Sequence, residues 1–244
     1  MFERLRGLIG RGSGDVAPEV EEPEIEYSEV QQAEMEARKR RSIERLKAEG
    51  VPFIDWLPYV DPSDHVTLRT PEEAAERAFC LFAAAMASDA ELAETARQAV
   101  RDYRVEHLLT PRERKLIFGA PTQHERIQAS WGIEAVVPLL WHVGYVPDLY
   151  RPDRVAETGR IIDTIQDLGP HDYYAELSAR TKWAVLDEAD LIYRYHWAVR
   201  DAGLNGRETP AKLDGGVVME RHRALNWLIG YADRADWDDV TTDT

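Results

Sequence analysis

Leu186-Asp187-Glu188-Ala189-Asp190-Leu191-Ile192-Tyr193-Arg194-Tyr195-His196-Trp197-Ala198-Val199-Arg200-Asp201 is the stretch whose reading decides the fold class. Val185, Ala189, Ile192, His196 and Val199 recur at the spacing of one helical face, with Leu186, Asp190, Tyr193 and Trp197 in the line beside it. Thr181 is placed to cap the start with its hydroxyl, and Gly203 to end the helix in a left-handed turn. A partner helix is predicted from Asp214, as its cap, through Val217 to about Tyr231, with Val218, His222, Leu225 and Ile229 in one stripe. The connection through Asn205, Gly206 and Pro210 is short enough to favour an antiparallel pair. Each helix of that pair then carries a histidine in an otherwise apolar stripe.

Working outward, helices dominate. One should run from about Ser28 to Gly50. Thr70-Pro71 with Glu73, Thr110-Pro111 with Glu113, and Thr122 with Glu125 all have the spacing of a capping box, in which hydroxyl and carboxylate satisfy the free N–H groups of a first turn. Further helices are expected over Asp89–Glu106, from Thr122 towards Val143 with a kink at Pro138, and over Asp148–Leu168 up to Gly169-Pro170. Alternating β-branched residues are nearly absent, so strands are not expected beyond a short hairpin between Val51 and Leu68. The expected architecture is mainly α: a single multi-helix domain over 38–244 behind a disordered acidic N-terminal arm, 1–37, whose first residues are amphipathic.

The chain has 244 residues and a formal net charge of −15. Between Gly12 and Ala37 lie nine acidic residues and no Lys or Arg, a self-repelling composition that favours disorder. A chain without surplus positive charge is poorly suited to neutralising phosphates, which argues against nucleic acid as a partner and is compatible with a basic protein. No apolar run is long enough for a membrane span, so no stable membrane insertion is expected. No signal peptide is evident, and the single cysteine, Cys80, forms no intramolecular disulfide; the expected compartment is the cytoplasm. Cys80 sits among apolar neighbours and reads as a buried, inert thiol. In the aspartate-rich tail, Trp237 and Val240 are the residues expected to pin it to the body.

The familiar chemical motifs are missing: no phosphate-cradling glycine loop, no dinucleotide fingerprint, no nucleophile elbow, no His-Glu-x-x-His. What stands out is a polar cluster on the last two helices: Asp190, Arg194, His196, Glu220, Arg221, His222 and Asn226, with Asp187 and Arg200 nearby. Buried polar groups must be paired, so a mutually satisfied network is the favoured reading. The alternative is a site in which both histidines and a carboxylate bind a divalent metal or exchange protons. No cofactor follows from the residues.

Four blocks bring a family to mind. They are Arg41-Ser42-Ile43 through Gly50-Val51-Pro52 and Leu57-Pro58; Leu109-Thr110-Pro111 with Trp131, Glu134-Ala135 and Leu139-Leu140-Trp141; the run Leu186 to Arg194 with His196-Trp197-Ala198; and Glu220-Arg221-His222 with Ala224-Leu225-Asn226-Trp227-Leu228 and Trp237-Asp238-Asp239-Val240. From about Arg38 onward the chain resembles the bacterial family catalogued as domain of unknown function 4272. Gly132 and Pro138 depart from it, standing where a larger, often basic residue and an apolar one are expected. The resemblance implies a mostly helical soluble domain and carries no activity or catalytic residues. The expected function is therefore a non-catalytic protein-interaction module, with a metal-dependent or small-molecule enzyme built on the His/Asp cluster as the alternative.

Overall fold

Local hydrogen-bond chemistry sets the helix starts. The computed structural model describes residues 26–175, 177–233 and 236–244; the arm up to residue 25 lies outside them. Helix α1 (Glu29–Glu49) opens at Ser28, whose side chain accepts from the Gln31 amide, and closes at Gly50, left-handed at φ 70°. The expected boundary between arm and domain at 37/38 thus falls inside a helix. The three Thr-x-x-Glu boxes form as the spacing predicts, opening α2 (Pro71–Ala87), α4 (Pro111–Phe118) and α5 (Gln123–Trp131). Between them lies α3 (Ala93–Asp102), and α6 (Ile133–His142), α7 (Thr158–Asp172), α8 (Lys182–Leu204) and α9 (Gly215–Leu228) follow. No strand occurs among the described residues.

Helix α2 is apolar nearly all round, with Ala74, Ala75, Ala78, Phe79, Leu81, Phe82 and Ala83 all buried, and a helix of that kind must be covered on every side. It packs on α6, α3, α4 and α5; α6 packs on α9, α9 on α8, and α8 on α1. The α8–α9 pair is antiparallel as expected: Val199 lies against Gly215 while His196 meets His222. Helix α1 runs parallel to α8, with Arg41 on Asp187 at one level and Glu49 on Tyr195 further along. Cys80 is buried in α2, where loss of hydration pushes its thiol up to about 12.

Several boundaries differ from the sequence expectation, each for a visible reason. The helix expected from Asp89 starts at Ala93, because the Asp89 carboxylate caps the Glu91 amide in a turn at 2.9 Å. The single helix expected from Thr122 towards Val143 is divided at Gly132, whose N–H bonds the Ala129 carbonyl three residues back; Pro138 lies inside α6. Helix α8 runs past Gly203, and the left-handed glycine is Gly206. Residues 148–157 are not helical: the Ala156 amide donates to Glu134 Oε1 at 2.5 Å, and the Tyr150 carbonyl accepts from Arg221 at 2.8 Å. Trp237 and Val240 are buried and pin the tail as expected, with the guanidiniums of Arg77 and Arg223 over the Trp237 ring.

Between Val51 and Leu68, where the sequence leaves room for a short hairpin, the chain is irregular. Pro52, Pro58 and Pro62 remove ladder donors. Cations on two helices take the carbonyls that a neighbouring strand would have bonded. Arg38 holds the Val60 and Asp61 carbonyls at 3.0 and 2.9 Å; Lys39 holds Asp55 and Leu57; Lys182 holds Ser63 and Val66 at 2.9 and 2.7 Å; Arg194 reaches Pro58 at 3.4 Å.

One glycine is demanded by packing. A Cβ on Gly216 would lie 2.6 Å from the Trp131 ring, far inside contact distance. Gly216→Ala is expected to destabilise the fold by about 1–3 kcal/mol, read as a drop in Tm; an unchanged Tm would show that the ring moves aside freely.

Candidate functional site

All seven residues of the predicted cluster are buried, and the structure divides them among separate networks. Asp190 and Arg194, one turn apart on α8, form a two-pronged ion pair: Nε donates to Oδ2 at 2.8 Å and Nη2 to Oδ1 at 2.7 Å, with both side chains only 1% exposed. His196 and His222 meet across the α8–α9 seam, Nδ1 to Nδ1 at 2.8 Å, rings edge to face. Only one of two facing nitrogens can carry a proton if they are to bond, so the pair is a neutral donor and a neutral acceptor. Burial lowers the His196 pKa to about 4, with Arg200 adding to it, and lowers His222 to about 3, with His196 adding and a hydrogen bond to Asn226 opposing. Asn226 also donates to the Thr241 carbonyl at 2.9 Å and so ties the tail to α9.

Arg221 leaves the cluster altogether. Its guanidinium lies over the Tyr150 ring, 4.3 Å from the centroid, and donates to Glu134 Oε2 of α6 at 3.4 Å. Burial raises the Glu134 pKa against the opposing pull of the Ala156 amide and Arg221. Glu220 is buried without a hydrogen bond or ion pair to any described residue, and burial raises its pKa too. Asp187 pairs with Arg41 at 2.5 Å, and Arg200 is exposed.

The two histidines meet, but in a closed seam and not in the solvent-reachable cleft that the enzyme alternative needs: they are 4% and 2% exposed. Neither Asp190 nor Glu220 bonds an imidazole among the described residues, and no three His, Cys, Asp or Glu side chains there come together in a way that could hold a metal ion.

A second polar assembly escaped the sequence reading. Glu49 at the end of α1 accepts from Arg45 Nε at 3.0 Å, Arg151 Nε at 2.8 Å and the Tyr195 hydroxyl at 2.5 Å. Burial works to raise its pKa, but these three bonds outweigh it and the pKa is lowered. Beside it is a cavity of about 20 Å³ lined by Arg45, Tyr150, Glu188, Tyr195 and Arg221 among others. The Tyr150 hydroxyl and Arg221 Nε are buried there without a protein partner. The space suits one water molecule bridging those groups and is too small for a substrate. The i,i+4 pair Arg45–Glu49 was the only local signal; Arg151 and Tyr195 come from far along the chain.

The sequence profile described as Domain of unknown function (DUF4272) matches residues 38–240. No curated protein and no solved structure matches the chain.

Proposed function

Since the chain belongs to the family described as Domain of unknown function (DUF4272), whose description names no reaction, we propose a function from its surface: it is a protein-interaction module that docks a basic protein through the 51–68 segment and performs no chemistry of its own. One observation carries the reading. Trp56, the kind of side chain that proteins bury, is 74% exposed. Tyr59 is exposed beside it, with the Lys39 ammonium 4.7 Å above its ring. Both stand on a segment whose carbonyls are fastened by Arg38, Lys39, Lys182 and Arg194, so the aromatic face is held in place before a partner arrives. Rigid aromatic anchors dominate the energetics of protein interfaces because their apolar surface is large and little freedom is lost on binding.

The sign of the partner follows from the segment's charge. It contains Asp55, Asp61 and Asp64 and no Lys or Arg. An arginine or lysine on the partner can stack on the Trp56 face while pairing with Asp55. A protein of that kind fits better than nucleic acid, whose phosphates would meet these aspartates. In this reading the protein works in the cytoplasm, where a single buried thiol needs no partner.

The test is affinity purification of wild type and Trp56→Ala side by side. A basic protein is expected with the wild type, its affinity falling about 30-fold in the variant and weakening as salt rises. Because Trp56 is so exposed, the variant's Tm should match the wild type. A partner that binds both forms equally would end the assignment of this face.

A further inference from the structure

Where α3 ends, its last turn is closed by two hydrogen bonds: the Arg104 amide to the Arg101 carbonyl at 3.1 Å, and the Val105 amide to the Val100 carbonyl at 3.0 Å. That closure requires a left-handed residue between them, a place glycine normally takes. Here it is Arg104, at φ 59°.

Arg104 lines an open surface groove of about 420 Å³ together with Val100, Arg101, Glu106, His107 and Arg114. Three guanidiniums and an imidazole line the groove with one carboxylate, in a chain whose net charge is −15, and the Glu76 carboxylate also acts on His107. Arg114 is positioned by the Glu106 carbonyl at 2.6 Å, and its weak ion pair with the Glu106 carboxylate, at 3.6 Å, uses up that one negative group. Arg114 and Arg101 both rest against the Phe118 ring, each 5.9 Å from its centroid. Arg101 and Arg104 have no carboxylate partner among the described residues, and both are exposed. Arg101 and Arg104, without such a partner, and Arg114, held by a backbone carbonyl, supply planar forks of the kind that bind tetrahedral oxyanions.

We propose that this groove binds a small phosphate-bearing molecule, its phosphate oxygens held by Arg101, Arg104 and Arg114 with His107 alongside. The groove is open to solvent, so it would hold the phosphate group and leave much of the body attached to it exposed. The residues involved are separate from the 51–68 segment, so this site and the docking face stand or fall independently.

The test uses the full-length protein and inorganic pyrophosphate as the probe, followed by calorimetry and by backbone NMR. Saturable one-to-one binding is expected, with shifts concentrated in residues 100–114 and affinity falling as salt is raised. Arg104→Gly is the decisive variant, because it relieves the strained backbone while removing a phosphate ligand. It should raise Tm by about 2 °C and weaken pyrophosphate binding at least about 5-fold, one charge-assisted contact being lost. Arg160→Gln, which removes an exposed arginine paired with Glu157 elsewhere, should leave binding unchanged. Binding that never saturates, or that Arg160→Gln weakens as much as Arg104→Gly does, would overturn the site and leave only general attraction of an anion to surface arginines.

Discussion

Between pH 6.5 and pH 4 the protein is expected to lose several kcal/mol of stability, from the titration of His196 and His222. Both are held neutral in the fold, with pKa values lowered from 6.5 to about 4 and about 3. In the unfolded chain they take protons near 6.5. Below that pH the unfolded state binds protons that the native state refuses, so stability that is complete above 6.5 is lost as pH falls. Each histidine contributes a slope of about 1.4 kcal/mol per pH unit until its own folded pKa is reached. His142, buried at the end of α6 with its pKa also lowered by burial, adds in the same direction. Glu134, Glu188 and Glu220 oppose it: their pKa values are raised by burial, so the native state binds protons first and gains stability on acidification. The carboxylates' gain therefore offsets part of the histidines' loss as pH falls. Urea denaturation at pH 7.5, 6 and 5 measures it. His222→Gln should flatten the slope by about one histidine's share, and a slope unchanged in that variant would contradict the neutral buried pair whatever the carboxylates offset.

Removing one half of the Asp190–Arg194 pair is expected to be the most damaging single change in the interior. Asp190→Ala leaves a guanidinium that is 1% exposed without its counter-charge, and Arg194 Nη1 already lacks an acceptor. The remaining contact, the Pro58 carbonyl at 3.4 Å, cannot compensate for a full charge. An uncompensated buried charge costs about 3–5 kcal/mol. The double variant Asp190→Leu, Arg194→Met removes both charges at similar volume and should recover more than half of that loss, since the penalty lies in the orphaned charge and not in the missing attraction. A single variant that costs under about 1 kcal/mol would mean the guanidinium escapes to water, against the burial seen here.

Features encoded by neighbours in sequence were legible before the structure. Thr70 with Glu73, Thr110 with Glu113 and Thr122 with Glu125 opened helices where their spacing places them, because both halves of each cap lie within one turn. The pairing of α8 with α9, and the place of one histidine in each apolar stripe, were legible as well, from helical periodicity and a short connection; that the two rings meet was not. The partners were not. Arg221 turns to Glu134 and Tyr150 instead of the histidines, and Arg194 to Pro58, because those groups arrive from elements far away in the chain. The division at Gly132, where the chain tightens against the Ala129 carbonyl, was not legible, because nothing in its neighbours marks it as a turn. The irregular course of the 51–68 segment was legible from Pro58 and Pro62, but the cations on α1 and α8 that satisfy its carbonyls are an arrangement no periodicity announces. The family resemblance read from Arg38 onward was correct, and the matched region begins at the same residue.

The way the 51–68 segment is fastened also bears on how it can change. Its hooks, on Arg38, Lys39, Lys182 and Arg194, grip main-chain oxygens, which every amino acid supplies. The path of the segment therefore depends little on the identity of outward residues such as Asp55, Trp56 and Tyr59. Mutation can rewrite those letters without unmaking the support beneath them, so the face can diverge to suit a new partner while the helices behind it stay constant. The same separation makes the segment a natural place to graft a chosen binding sequence onto this scaffold.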